Sequence, residues 1–154
     1  MRRREKEISD PSEVAALLKR ASILHLAMID QDGWPYVIPV CFGVSGDKIF
    51  VHGAREGKKI DAIDSNHRVS FSAALDAEIR PGDAACGWTM AFRSVVGFGD
   101  AMALTGPEEK RSALDVIMAR YGGDGPWDYP DAALEKTAVI QIRILSMTGK
   151  VGGH

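Results

Sequence analysis

The sequence predicts an α+β fold, a mostly antiparallel sheet closed into a small β-barrel with short peripheral helices. Three observations lead there. About six apolar, strand-like runs are joined by hairpin-type turns such as Asp30-Gln31-Asp32-Gly33 and Ser45-Gly46-Asp47. Helical patterns occur only near the start, the middle and late in the chain, so strand and helix do not alternate as a doubly wound parallel sheet requires. A length of 154 residues suits one domain, and closing its sheet would remove exposed edges.

Residues 1–9 read as a polar, flexible arm on a single domain spanning 1–154. Asp10-Pro11-Ser12-Glu13 then starts a helix, with Asp10 as N-cap and Pro11 in the first turn. Val14, Leu17 and Leu18 give it one apolar face, and it should end near Arg20. Strands are expected over 22–29, 34–42 and 48–52. The second carries Pro35 and Pro39, which cannot donate to a ladder, so it should border an edge or an opening. A short helix over about 57–65 precedes a strand at 68–75, and a turn-rich stretch at 76–87 centres on Pro81-Gly82-Asp83. The strand-like run 88–104 should bend at Gly97 and Gly99. Thr105 and Glu108 stand at capping-box spacing before a helix with Leu114, Ile117 and Met118 on its apolar stripe, stopped by Gly122-Gly123. After a loop over 122–130, alternation in 137–145 marks the last strand.

Composition narrows the function. Nineteen Lys and Arg against 21 Asp and Glu leave a net charge near −2, so no global field draws the chain to nucleic acid. No apolar run is long enough for a membrane helix, and no apolar segment follows the basic N-terminus as a secretory signal would. Cys41 and Cys86 are too few and too separated for a zinc site or a disulfide framework, so no metal is expected and a reducing cytoplasm is the default. They read as small buried residues, and His25 reads as a core histidine.

Three stretches invite chemistry. His52, Gly53, Ala54, Arg55, Lys58 and Lys59 crowd the end of a strand and the start of a helix. A helix N-terminus carries unpaired N–H groups and positive potential, so lysines there are unfavourable unless an anion joins them. A phosphate is one answer; a solvated surface with Glu56 and Asp61 as counter-charges is the other. Arg93 and Ser94 interrupt an apolar strand and face either a polar ligand or water. In Trp34-Pro35-Tyr36-Val37-Ile38-Pro39-Val40, unpartnered backbone groups could bond the edge of a flat heterocycle, or the strand could form a barrel corner or a dimer surface. No catalytic triad, HExxH motif or nucleotide P-loop is present, so catalysis would rest on a bound cofactor and no catalytic side chain is assigned.

As a set, GWPYVIPVCFGV, KIFVHGAREGKKIDAI and RSVVGFGDA resemble the pyridoxamine 5′-phosphate oxidase-related family of FMN-binding split barrels, in its nitroimidazole-reductase-like branch. The resemblance implies a six-stranded split barrel and a homodimer with FMN at the subunit interface. Ile38, Pro39 and Val40 would line the flavin ring. His52, Gly53, Ala54, Lys58 and Lys59 would hold the phosphate, and Arg93 and Ser94 would face the flavin or its phosphate arm. It further implies an oxidoreductase passing electrons from a reduced nicotinamide nucleotide to a small acceptor such as a nitro-aromatic. The alternative is a non-catalytic flavin- or haem-binding module, and some relatives bind a deazaflavin. The chain ends at ILSMTGKVGGH, without the arginine-containing C-terminal segment of true pyridoxamine-phosphate oxidases, so vitamin B6 oxidation is not expected.

Overall fold

The computed structural model describes residues 4–123 and 125–153. Of the N-terminal arm, residues 4–8 are ordered: Arg4–Lys6 make one 3-10 turn, and β1 (Glu7–Ile8) pairs with Lys150 and Gly149. Helix α1 (Pro11–Arg20) begins where its cap predicts, with the Asp10 carboxylate accepting from the Ser12 amide at 2.8 Å. Strands β2 (Leu24–Ile29) and β3 (Pro35–Val40) form the first hairpin, closed at Gly33 with φ 84°. The single predicted strand 34–42 is two, because the ladder breaks at Cys41 and resumes as β4 (Phe42–Ser45). A tight turn at Gly46 leads into β5 (Lys48–Ala54), followed by α2 (Lys58–Ser65).

Strand β6 (Arg68–Arg80) runs longer than its apolar pattern suggests, and β7 (Thr89–Ala103) fills the run expected at 88–104. A bulge between Leu75 and Glu78, with Asp76 at φ 55°, re-aims the pair without ending it. Helix α3 (Pro107–Tyr121) takes Gly106 as its N-cap, so the Thr105–Glu108 capping box does not form. Proline at N1 moves the helix start one residue past Thr105. A further short helix, α4 (Asp131–Lys136), leads into β8 (Thr137–Gly152). Asp124, inside the predicted 122–130 loop, lies outside the described residues.

All strand pairings are antiparallel, in the order β3-β2-β6-β7-β8-β5-β4. The outer members of that order, β3 and β4, are separated in sequence only by Cys41. Two consecutive residues span only about 7 Å, so the sheet must roll until its ends meet. The result is a barrel with a split between β3 and β4. The larger count of strands than the expected six comes from β1 and from this break.

Two apolar cores follow. The barrel interior packs Leu24, Leu26, Phe42, Val51, Phe71 and Val95 with Leu17 and Leu18 of α1 and Ala62 and Ile63 of α2. A smaller core lies outside the barrel, where Phe50 and Val139 are covered by Leu114 and Ile117 of α3 and Leu134 of α4. Arg120 of α3 caps the C-terminus of α1 through the Lys19 and Ala21 carbonyls while lying over the Phe42 ring, 4.4 Å from its centroid.

Helix α3 approaches β4 closely because Gly43 has no side chain. A Cβ there would stand 2.6 Å from the Val116 carbonyl oxygen and 2.8 Å from the Ile117 nitrogen, both backbone atoms. Gly43→Ala is expected to lower stability by about 1–3 kcal/mol through overpacking. Denaturant midpoints check this; an unchanged midpoint would mean that α3 does not seat at Gly43.

Candidate functional site

The candidate site begins with the strand that borders the split. Pro35 faces Ile29 and Pro39 faces His25 across the β2–β3 ladder. A proline fits a ladder only where its nitrogen points away from the partner strand. The positions of Pro35, Val37 and Pro39 therefore turn their backbone groups toward the split, while Tyr36, Ile38 and Val40 bond β2. Across the split, Phe42 pairs with Val51, so Val40 lies about level with Gly53. The free backbone edge thus runs beside the end of β5. Of its donors, Val37 N–H is the one that the reading of Ile38, Pro39 and Val40 missed. The proline spacing signals it.

Helix α2 starts at the end of this channel. Its N-cap, Gly57, adopts φ 123°, and no side chain caps it. The Ile60 and Asp61 amides bond back to the Gly57 carbonyl at 2.8 and 3.2 Å. Among the described residues, the amides of Gly57, Lys58 and Lys59 have no such partner, as expected for a helix first turn.

The two lysines have different fates. Lys58 Nζ lies 2.8 Å from Asp30 Oδ2 and 4.9 Å from the centroid of the Tyr36 ring. Asp30, 7% exposed in its side chain, also accepts from the Trp34 amide at 2.7 Å and the Asp32 amide at 3.1 Å. The hydrogen bond to Lys58 holds the Asp30 carboxyl below its ordinary range and raises the Lys58 ammonium. The counter-charge of Lys58 thus comes from the β2–β3 hairpin, not from the neighbouring Glu56 and Asp61. Sequence reading took Asp30 as a turn residue only, since a contact 28 positions away leaves no local trace.

Lys59 has no carboxylate within ion-pair distance among the described residues. Its Nζ donates to the His52 carbonyl at 3.1 Å, in space that a side chain at Gly53 would occupy. Burial pushes its ammonium toward neutrality. Burial first, and then the Lys59 charge, lowers His52 as well. The half-buried Lys59 and the exposed His52 at an uncapped helix N-terminus form a cradle suited to a phosphate. Arg55 points elsewhere, bonding the Glu135 and Lys136 carbonyls.

Arg93 and Ser94 do not join this group within one chain. Arg93 faces Val151 and His52 faces Val139 on the same strand, β8. Twelve residues of strand separate them, about 40 Å along its path. Arg93 Nη1 instead lies 3.6 Å from Asp76, which Arg20 also grips at 2.9 Å. His25, expected in the core, points outward, and Cys41 and Cys86 are exposed rather than buried. His25 alternates with the inward Leu24, Leu26 and Met28, which turns it to the outer face. Trp127 anchors its own loop through Nε1 to the Gly123 carbonyl, 3.3 Å away. Among the described residues no cluster of His, Cys, Asp or Glu could hold a metal, and no helix is long and apolar enough to cross a membrane.

The profile described as pyridoxamine 5′-phosphate oxidase matches residues 10–151. The chain belongs to this family. Among solved structures, a candidate 5-nitroimidazole antibiotic resistance protein from Bacteroides thetaiotaomicron is 30% identical. The alignment covers 94% of this chain and 86% of that one, with a TM-score of 0.84. The flavocytochrome Anf3 of Azotobacter vinelandii is 22% identical over 100% of this chain and 72% of its own, with a TM-score of 0.85. A FAD and haem binding protein of Mycobacterium smegmatis is 19% identical over 97% and 74%, again with a TM-score of 0.85. At those lower identities the likeness is one of fold. No curated protein sequence matches the chain significantly.

As a member of the oxidase family, the protein uses the Asp30–Lys58 pair to fasten α2 to the hairpin that carries β3. Lowering of Asp30 means that its contribution is full above the ordinary carboxylate pKa of 3.8 and is lost as the pH falls through the depressed value. Elevation of Lys58 keeps it present up to the ordinary lysine pKa of 10.5. Asp30→Asn is therefore expected to lower the denaturant midpoint at pH 7, and the gap from the parent protein should close in strong acid. A gap that persists there would assign the loss to something other than this ion pair.

Proposed function

We propose that the protein is an FMN-dependent oxidoreductase working as a homodimer, with a reduced nicotinamide nucleotide as donor and a small acceptor, a nitro-aromatic among the candidates. The observation that carries this reading is the cradle at the start of α2: unpartnered amides, Lys59 without a carboxylate, and His52 beside it. An anion there would favour the charged form of both groups. A flavin mononucleotide offers one terminal phosphate and one flat ring with polar edges. Lys59, His52, Gly53, Ala54 and the α2 amides would hold the phosphate. The β3 stretch Ile38, Pro39 and Val40, with the free Val37 N–H beside it, would meet the ring. Lys58 serves as the tie that keeps the cradle in place, and its own charge is already balanced by Asp30.

When bound, the flavin supplies two-electron transfer between donor and acceptor. The protein's own part is to bind, orient and shield. Gly53 leaves room for the lysine, the prolines keep the strand edge open, and the apolar wall of β3 limits water.

Support for a homodimer comes from the outer face of the sheet. Ladder registers align Pro39, His25, Ser72, Val96 and Thr148 in one row, and Val37, Ala27, Ser70, Phe98 and Ser146 in the next. Phe98 is 57% exposed, and Met102 and Leu145 are 55% each. Exposed large apolar side chains set among small polar ones and the Asp100–Arg143 pair are what a mixed subunit interface presents. A twofold partner would also bring its Arg93 and Ser94 toward a cradle that lies too far from the chain's own pair. The free Cys41 and Cys86 suit a reducing cytoplasm.

Lys59→Ala is expected to weaken FMN binding by roughly 1.5–3 kcal/mol, the range for a hydrogen bond to a charged group, while the far-ultraviolet spectrum stays unchanged. Fluorescence titration with FMN measures it, and an unaltered dissociation constant would remove the cradle from the site. Rapid mixing of the FMN-loaded protein with NADH or NADPH, then with para-nitrobenzamide, tests catalysis. Flavin colour that fades and returns supports the enzyme. A flavin that stays oxidised, or a haem spectrum in the purified protein, supports a binding module.

A further inference from the structure

Beyond the barrel, β6 and β7 continue as a two-stranded arm over residues 78–91. Its register pairs Glu78 with Ala91, Ile79 with Met90 and Arg80 with Thr89. A lone two-stranded ribbon is marginal in water, and this one exposes Ile79, Trp88 and Met90 at 60%, 56% and 48%. Its base is built to hold direction. The bulge at Asp76 is clamped by Arg20 and Arg93 from two sides. Its tip is compact as well. Gly82 and Gly87 cross so closely that a Cβ on Gly82 would meet the Gly87 backbone, and the Gly87 and Trp88 amides bond back to Ala84 and Ala85. Trp88 is thus presented on a braced support.

The apolar side of the arm has a definite direction. The bulge lies on β6, so β7 keeps its alternation from Met90 through Ser94, Val96 and Phe98 to Met102. Met90 and its partner Ile79 therefore share the face on which Val96 and Phe98 are exposed. That face is the one assigned to a second copy. If the partner covers Phe98 and receives Ser94 beside its cradle, the arm must extend past that cradle, because it continues directly from Arg93.

We propose that the arm crosses onto a second copy of the chain and that Trp88, with Met90 and Ile79, forms the apolar wall against which a flat aromatic acceptor packs in that copy's site. This rests on the flavin-dimer reading above. Trp88 is a specificity residue here, acting in trans, while Lys59 and His52 of the other copy hold the cofactor.

Trp88→Ala and Trp88→Phe, both at an exposed position, are made in the full chain and loaded with FMN. Calorimetric binding of para-nitrobenzamide to the loaded dimer should weaken about tenfold or more in Trp88→Ala and recover in Trp88→Phe, with FMN affinity unchanged. Mixed dimers then decide between cis and trans. One copy carries Lys59→Ala and the other Trp88→Ala. Acting in trans, they rebuild one intact site per dimer, so about half of the parent's high-affinity acceptor sites return. Acting in cis, neither site is intact. Unchanged acceptor binding in Trp88→Ala, or mixed dimers without a tight site, overturns the proposal while the flavin reading stands. A parent protein that is monomeric, or does not take up FMN, overturns that reading and the proposal with it.

Discussion

The single residue between β3 and β4 constrains the rest of the molecule. Strands at opposite ends of the hydrogen-bonded order are forced together by Cys41, so the sheet has no choice but to roll. Yet the two strands do not pair, and the split needs other partners for its backbone. Phe42 finds one in the Tyr121 hydroxyl, which accepts from its amide at 3.1 Å and donates to the Ser22 carbonyl at 3.0 Å. On the other bank, Pro35 and Pro39 have no N–H to satisfy. Apart from the free Val37 N–H, the opening is kept by residues that either lack the donor or lend it to a side chain, and it places the free strand edge beside the end of β5 and the start of α2.

Two adjacent lysines at a positive helix end repel each other and the helix dipole. Dividing their roles resolves the conflict. Lys58 is neutralised by Asp30, an acid already stabilised by two amides of its own turn, so it anchors α2 without adding net charge to the cradle. Lys59 remains uncompensated and half-buried, where its charge is poorly solvated. A site that is uncomfortable when empty has the larger differential affinity for an anion. The glycine at position 53 belongs to the same device, because the lysine's end lies in the space where a side chain would have been.

Much of this was legible in the sequence, where the signals are local. The Asp10 cap, the Gly33 and Gly46 turns, the proline-marked edge and the basic turn all act within a few residues, and each lies where its chemistry predicts. What was hidden depends on partners far along the chain. The extension of β6 past residue 75 carries no apolar alternation, since Asp76 interrupts the period and Glu78 and Arg80 are polar. The Thr105–Glu108 spacing was a true pattern overruled by Pro107. Sequence likewise does not show that β8 holds Arg93 and the basic turn about 40 Å apart along one strand, so that only a second copy could bring them together.

Strand β7 explains why the outer face is so apolar. Gly97 and Gly99 point into the barrel, where the Phe71 ring and the Ile142 side chain fill the space their Cβ atoms would need. The interior is therefore saturated at that level, and the strand adds apolar bulk on alternate positions outside, at Val96, Phe98 and Met102, with Asp100 between the last two paired to Arg143. Elsewhere the barrel solves the same problem with its own helices, α3 and α4 covering Phe50 and Val139. Over β2, β6 and β7 the chain supplies no such layer among its described residues. Burying that surface in a second copy would stabilise the fold by mass action, and a ligand held across the same interface would add to it. Stability, assembly and cofactor retention would then be one linked equilibrium, with the outward residues of β7 as its common element.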